Sequence, residues 1–528
     1  MALKEKSSGR NAVLVGSGIF LSRISGLIRD RVFAHYFGIS DAADAFRAAL
    51  RIPNLLQNLF GEGALSSSFI PVYANLLAAG KKDEADKIAR VIGSILVLVM
   101  SLLVLVGVLS APFLGNLLAS GFSGVKREAT IQMVQIMFPG MGILVMSAWC
   151  LGILNSHRRF FLPYAASVLW NLAMIAALIG FGGGTQPYSL ARIMAWGSVA
   201  GSILQFGVQL PFVIRLAGRI NFQIDLISSN VRTVIKNFIP GFTARGVNQL
   251  SSYIDLILAD HLQSGALANL FYAQQIYLIP VSLFGMSITN AELPEMASEL
   301  GSDDKIAEAL CRRLNSAIPR VAFFIIPSAA AFLALGDSMV ALIYQTGKFT
   351  RTNVPYVWAV LAGSAVGLLA ASLGRLYTSA FWALRDTRTP LRFAGIRVVL
   401  TAGLGWLLAF PVPRWLGLPV NTGLIGLTVS AGMAAWLEFT LLRITMNRRI
   451  GRTGLQASLV AKLWGTAIVA AALGFAVKYL TRGFHPLIAS PLVLLVFGSI
   501  YFCGTAALRI PEALQLFQAV GDKIRNRS

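Results

Sequence analysis

Long apolar runs separated by short polar turns recur from one end of this chain to the other. VIGSILVLVMSLLVLVGVLSAPFLGNLLA (91–119) and PLVLLVFGSIYFCGTAAL (491–508) carry almost no polar side chain. A helix rises about 1.5 Å per residue, so about 20 apolar residues cross the hydrocarbon core of a bilayer. Runs of that kind fall near 11–36, 43–79, 91–119, 129–156, 160–182, 188–214, 233–260, 266–298, 317–344, 355–384, 390–411, 421–442, 459–481 and 487–508. The pattern predicts an all-α polytopic membrane protein of about fourteen transmembrane helices, with no soluble-sized polar domain between them. Composition agrees: 13% of residues are charged, 56% are hydrophobic and the mean hydropathy is +0.68. A soluble domain has roughly a quarter of its residues charged.

The pattern also repeats. DAFRAALRIPNLLQNLFGEGALSSSFIPVYANLL (44–77) aligns with NLFYAQQIYLIPVSLFGMSITNAELPEMASEL (269–300), each with an I-P, an L-F-G and a second proline. Pro53 pairs with Pro280, Pro71 with Pro294, Pro163 with Pro390 and Gly140 with Gly367, all at offsets of 223–227. Two copies of a six-helix unit, near 11–217 and 231–447, explain this spacing. Six is even, so the copies run in parallel, related by an axis along the membrane normal. The expected organisation is an N-terminal lobe (1–217), a cytoplasmic linker (218–230), a C-terminal lobe (231–447) and two extra helices with a basic tail (448–528). Two such pseudo-symmetric lobes are expected to enclose a central cavity and work by alternating access.

A net charge of +22 invites a nucleic-acid reading, which the distribution of charge excludes. Of 45 lysines and arginines, 29 fall on one side of the expected topology, seven on the other and nine within spans. That asymmetry is the positive-inside pattern and puts both termini in the cytoplasm. No solvated domain gathers the basic residues as nucleic-acid binding requires. Lys4 to Arg10 lead into the first span without a small-residue cleavage site, so no secretory signal is expected. Cys150, Cys311 and Cys503 lack metal-ligand or disulfide spacing, and His35, His157, His261 and His485 sit apart. No cofactor is expected.

The nine cations that lie four or more residues inside a span are all arginines: Arg23, Arg29, Arg31, Arg47, Arg51, Arg192, Arg245, Arg375 and Arg397. Five lie in the first two spans, where lipid exposure at mid-depth would cost on the order of 10 kcal/mol. They must face a wet cavity, pair with acids or reach an interface. Arg23 and Asp30 are two turns apart on one helix face, and Asp44, Arg47 and Arg51 form a second stripe. Asp30, Asp44 and Glu62 are the nearby acids, three against five arginines. An excess of guanidinium suits an anion with several oxygens, because its planar fork matches phosphate and never loses its proton. A phosphate or pyrophosphate on an amphiphile is the simplest such ligand. Gly16, Gly18, Gly26, Pro53, FGEG (60–63) and Pro71 supply breakers that let these helices bend.

SRISGLIRD (22–30), AADAF (42–46), RIPNLLQNLFGEGALSSSFIPV (51–72) and GKFT (347–350) resemble the MurJ/MviN lipid II flippases of the bacterial inner membrane. These belong to the multidrug/oligosaccharidyl-lipid/polysaccharide exporter superfamily, and the resemblance runs through at least 11–447. It implies export of the undecaprenyl-pyrophosphate-linked peptidoglycan precursor to the outer leaflet. It places substrate-facing charges on Arg23, Arg29, Asp30, Asp44, Arg51 and Glu62. Where the family commonly has a basic pair after P-N-L-L, this chain has Gln57 and Asn58, and YAQQ puts Gln275 where an arginine is expected. Arg47 and Arg245 are the candidates to restore that charge. The resemblance further implies coupling to sodium ion or membrane potential, with Asp386 as the acid to test. Lipid II, membrane lipids and cell-wall synthesis proteins are the implied partners. The competing readings are a flippase for another polyprenyl-linked saccharide, a drug antiporter, a non-transporting scaffold of cell-wall assembly, and a membrane enzyme. The enzyme reading is disfavoured by short outer loops such as the acid-free FGGGTQPYSL (181–190).

Overall fold

The computed structural model describes residues 2–218, 221–297, 303–384, 386–419 and 421–525. Side chains are described for these except 2–16, 62–64, 66–67, 118, 240–252, 290, 294, 297, 303 and 519–525. The described chain is helical. In order the helices are α1 (Ala2–Phe37), α2 (Asp41–Phe60), α3 (Glu62–Ala78), α4 (Lys82–Leu109), α5 (Ala111–Leu118), α6 (Gly124–Ser156), α7 (Phe161–Phe181) and α8 (Pro187–Ala217). There follow α9 (Ser229–Asp260), α10 (Ala266–Pro280), a π-helical turn (Val281–Met286), α11 (Ser287–Ala297), α12 (Asp303–Tyr344), α13 (Val354–Ala365) and α14 (Leu368–Ala383). The last are α15 (Arg388–Ala409), α16 (Pro411–Trp415), α17 (Thr422–Ile450), α18 (Ala457–Leu480), α19 (Pro486–Ala507) and α20 (Pro511–Arg525).

Among the described residues, ten helices are long and apolar enough to cross a membrane, or eleven if the bent pair α13–α14 is one span. Helices also cover the other three expected spans, as α1, α2–α3 and α9, but these do not pass that test. Fourteen crossings is therefore not established among the described residues, which leave out side chains of α1, α3 and α9. The flanks are those of a membrane protein. Leu102, Leu105 and Leu109 of α4 and Ile468, Val469 and Leu473 of α18 are exposed, which only lipid makes tolerable.

Two compact units emerge, one of Met1–Ala268 with Thr346–Phe349 and one of Asn269–Gln345 with Thr350–Ser528. In the first, α6 packs on α8 and α2, α7 on α1 and α8, and α9 on α3. Its core joins Phe69, Tyr73, Trp149, Ile153, Val213 and Val231. The GKFT turn closes on the end of α1: the Lys348 N–H donates to the His35 carbonyl at 2.8 Å, and His35 Nδ1 pairs with Thr346 Oγ1 at 2.8 Å. Gly347 has φ +52°, and a Cβ there would lie 2.4 Å from the His35 carbonyl oxygen, so the motif needs its glycine. In the second unit α17 packs on α14 and α15, the pairing α8 makes with α6 and α7.

Both L-F-G motifs fall at irregular backbone. L-F-G of the first copy ends α2 at Gly61, where a Cβ would meet the Gln57 carbonyl oxygen at 2.2 Å. L-F-G of the second copy lies in the π-helical turn around Gly285. Both copies therefore interrupt the helix at one motif, as the breakers predict.

Candidate functional site

Close packing of α1 on α7 creates the site. A Cβ on Gly18 would lie 2.9 Å from Tyr164 Cβ, so glycine lets the two helices touch. A polar ladder then runs up the seam. Ser167 donates to Ser22 Oγ at 2.7 Å, and Asn171 Nδ2 to Ser25 Oγ at 2.9 Å. Arg29 Nη1 donates to Asn171 Oδ1 at 3.0 Å. Ser22, Ser25 and Arg29 share one face of α1, and Ser167 and Asn171 one face of α7.

At the top of the ladder two guanidiniums meet one carboxylate oxygen. Asp30 Oδ1 accepts from Arg29 Nη2 at 2.9 Å, from Arg29 Nε at 3.2 Å and from Arg47 Nη2 at 3.3 Å. All three residues are buried, and each guanidinium also lies over a ring, Arg47 above Phe33 at 3.9 Å and Arg29 above Trp170 at 5.2 Å. The cluster ties α1, α2 and α7 together.

Equal spacing does not give equal surroundings. Arg23 shares a helix face with Asp30, yet it is exposed and makes no ion pair among the described residues, whereas Asp30 is only 3% exposed. Packing by α2 and α7 covers Asp30 but stops short of Arg23, as exposed Phe20, Ile24 and Ile28 around it show. The second stripe divides likewise. Asp44 is 1% exposed and accepts the Gly265 and Ala268 N–H groups at 2.7 and 2.8 Å. Lys126 bridges Asp44 at 3.0 Å and Asp41 at 2.7 Å. Asp44 thus caps the start of α10 and anchors α6, using both oxygens. Arg47 belongs to the Asp30 cluster. Arg51 is half-buried, its carbonyl accepting from the Tyr253 hydroxyl at 2.9 Å and its charge acting on Asp255 of α9.

Glu62 begins α3 and Arg245 lies in α9, but both side chains fall outside those described. Gln57 and Asn58 are half-buried at the end of α2. In the second unit Gln275 is half-buried, two residues before Tyr277, which interacts electrostatically with Arg375 and Arg397. Arg397 Nη1 donates to Glu438 at 3.0 Å, and Arg375 is exposed. Two arginines against one acid is the ratio found at Asp30. Asp386 takes the Arg388 and Thr389 N–H groups on Oδ1 at 3.1 and 3.0 Å, and the Thr389 hydroxyl and Arg449 on Oδ2 at 2.7 and 2.8 Å. Partial burial pushes its carboxyl up, but these donors and the guanidinium outweigh it and hold it below the ordinary carboxylate range. Asp386 stands as a cap of α15.

The structure adds residues that charge counting missed. Lys126 falls between the expected spans 91–119 and 129–156, and Asn171 is a lone amide in the apolar stretch PYAASVLWNLAMIAALIGF, a signal in itself. Tyr277 and Glu438 are the others. Among the described residues no three His, Cys, Asp or Glu side chains converge as a metal site.

Known proteins resemble this chain in sequence and fold. Residues 33–497 match the family model described as lipid II flippase MurJ. The probable lipid II flippase MurJ of Rhizobium meliloti (strain 1021) is 31% identical over 88% of this chain and 86% of its own length. The lipid II flippase MurJ of Burkholderia cenocepacia is 31% identical over 83% of this chain and 84% of its own. A solved lipid II flippase MurJ in an inward closed conformation superposes with a TM-score of 0.76 at 23% identity, covering 94% of this chain and 98% of that one. An inward-facing multidrug resistance MATE family transporter of the MOP superfamily shares the fold, with a TM-score of 0.61 at 17% identity over 83% of this chain and 98% of that one. The chain is a multi-span membrane protein that belongs to the lipid II flippase MurJ family.

Proposed function

We propose that this protein moves lipid II, the lipid-linked peptidoglycan precursor, from the inner to the outer leaflet of the bacterial cytoplasmic membrane, with both termini in the cytoplasm. The observation that carries the reading is the family match through residues 33–497, shared with relatives named for that activity. The protein acts as a transporter and not as an enzyme, by alternating access between two duplicated lobes.

The charge geometry supports a division of labour. Arg29 and Arg47 brace Asp30 Oδ1 in a buried cluster, while exposed Arg23 and half-buried Arg51, which faces Asp255, are the guanidiniums that meet the pyrophosphate. A diphosphate satisfies two forks bidentately, and the lipid tail stays in the bilayer while the head group crosses. Breaks at Gly61 and in the 281–286 turn supply the bending that exchange between two states requires. Gln57, Asn58 and Gln275 favour a second reading, a flippase for another polyprenyl-linked saccharide, because they remove cations the family pattern leads one to expect.

Expression of this chain in a bacterium depleted of its lipid II flippase tests the reading. Recovery of outer-leaflet lipid II is expected. Correctly inserted protein without recovery refutes it, and recovery of another polyprenyl-linked glycan selects the second reading.

A further inference from the structure

A second cationic site lies in the unit formed by Asn269–Gln345 and Thr350–Ser528. A cleft of about 620 Å3 opens between α12, the end of α17, the 451–456 turn, the start of α18 and the α19–α20 junction. Arg443, Arg452, Lys462 and Arg509 line it, with Glu512 as its one acid. None of the four cations is ion-paired among the described residues.

The turn that carries Arg452 is built, not merely exposed. Thr453, 3% exposed, donates its N–H to Asn447 Oδ1 at 3.0 Å, and its hydroxyl pairs with the Tyr377 hydroxyl at 2.7 Å. Asn315 holds both flanks, donating to the Arg452 carbonyl and accepting from the Gly454 N–H, each at 3.2 Å. Arg443 Nε donates to the Thr453 carbonyl at 3.0 Å. Its guanidinium lies where a side chain on Gly454 would be, 2.3 Å from a Cβ built there. Gly451 and Gly454 have φ of +96° and +144°, which other residues rarely adopt. Arg509 itself sits at φ +53°, a position after a helix where glycine is the usual choice. A topological signal needs only basic residues on a loop. It does not need them to converge on a cleft over a pinned turn.

We propose that this cleft binds the phosphate headgroup of an acidic membrane lipid. The phosphate chemistry follows from converging cations and from the first turn of α18, which lines the cleft and has no side-chain cap on its N–H groups. The lipid source follows from what lies beside it. Leu508 is 45% exposed, and Leu514 and Phe517 of α20 are 41% and 46% exposed, giving acyl chains an apolar surface that a soluble phosphate would not use. Helix α20 carries these residues as an amphipathic interfacial helix does. The bound lipid would fasten α20 and the α18–α19 hairpin to the membrane surface. The proposal does not depend on which lipid the protein transports.

Native mass spectrometry of the full-length protein in a neutral detergent tests it, titrating dioleoylphosphatidylglycerol, dioleoylphosphatidylcholine and inorganic pyrophosphate separately. Phosphatidylglycerol should bind with a tight first site that phosphatidylcholine does not fill. The combined change Arg452→Gln, Lys462→Gln and Arg509→Gln should weaken that site roughly 100-fold. Glu512→Gln, which removes the opposing charge, should tighten it several-fold. Equal phosphatidylglycerol binding by the wild type and the triple variant overturns the proposal, as does equal binding of the two lipids by the wild type. Pyrophosphate that fills the cleft as tightly as phosphatidylglycerol overturns the lipid assignment.

Discussion

Replacing Asp44 by alanine separates a structural role from a substrate-binding one. Its two oxygens hold the Gly265 and Ala268 N–H groups at 2.7 and 2.8 Å and the Lys126 ammonium at 3.0 Å, at 1% exposure. Alanine would leave two backbone donors without their acceptor, at about 1–3 kcal/mol each. Breaking a buried ion pair costs about 3–5 kcal/mol, though here Lys126 retains Asp41. These contributions overlap, so a net loss of about 3–5 kcal/mol is expected. For a cooperative unit of a few hundred residues, each kcal/mol moves Tm by about 2–4 °C, which gives a drop of roughly 6–15 °C. Asp44→Asn keeps an acceptor oxygen and should fall between alanine and wild type. Thermal unfolding of the purified protein, followed by tryptophan fluorescence, reads the drop, and lipid II binding below the new Tm should be unchanged. An Asp44→Ala protein that melts normally but no longer binds lipid II would refute the reasoning.

Arg23→Gln should do the reverse: Tm within about 1 °C of wild type, because an exposed unpaired side chain contributes little to stability, but flipping abolished at normal membrane levels. Asp30→Asn leaves Arg29 and Arg47 around a neutral group and should destabilise by about 3–5 kcal/mol, with Arg47→Gln in the same chain recovering part of that loss in a double-mutant cycle. Gly61→Ala forces a methyl to within 2.2 Å of the Gln57 carbonyl oxygen, so transport should fail before expression does, read as flipping per inserted molecule. Asp386→Ala removes a cap and its Arg449 partner at a cost of about 1 kcal/mol. The Asp386 carboxyl is held below its ordinary value in the folded protein, so its contribution is fully present above about pH 4 and is lost as pH falls through the lowered folded value. A wild-type-minus-variant Tm difference that persists in acid would contradict this.

The helical class and the membrane could be read from periodicity because each depends on many residues. Lipid on the outside demands apolar flanks, so the signal survives local variation. Ten to eleven of the fourteen expected spans are long and apolar enough among the described residues, and helices α1, α2–α3 and α9 cover the other three. At the site, residue type was informative and environment was not. Arg23, Arg29 and Arg47 look alike in sequence, but whether each is braced or open depends on where α2 and α7 cover α1. The partners of Asp44, Lys126 and the 265–268 backbone, are more than 80 residues away along the chain, so its surroundings are not legible in the sequence. Asn171 was visible as a misplaced amide, but only the fold says that it receives Arg29.

Flipping measured in proteoliposomes tests whether Arg23 meets the transported pyrophosphate. Purified wild type and Arg23→Gln, reconstituted at equal density with fluorescent lipid II, would be compared for the rate at which label crosses the bilayer. Translocation is expected for the wild type, none above protein-free vesicles for Arg23→Gln, and partial recovery for Arg23→Lys, which restores charge without the fork. Translocation by Arg23→Gln at the wild-type rate would contradict that contact.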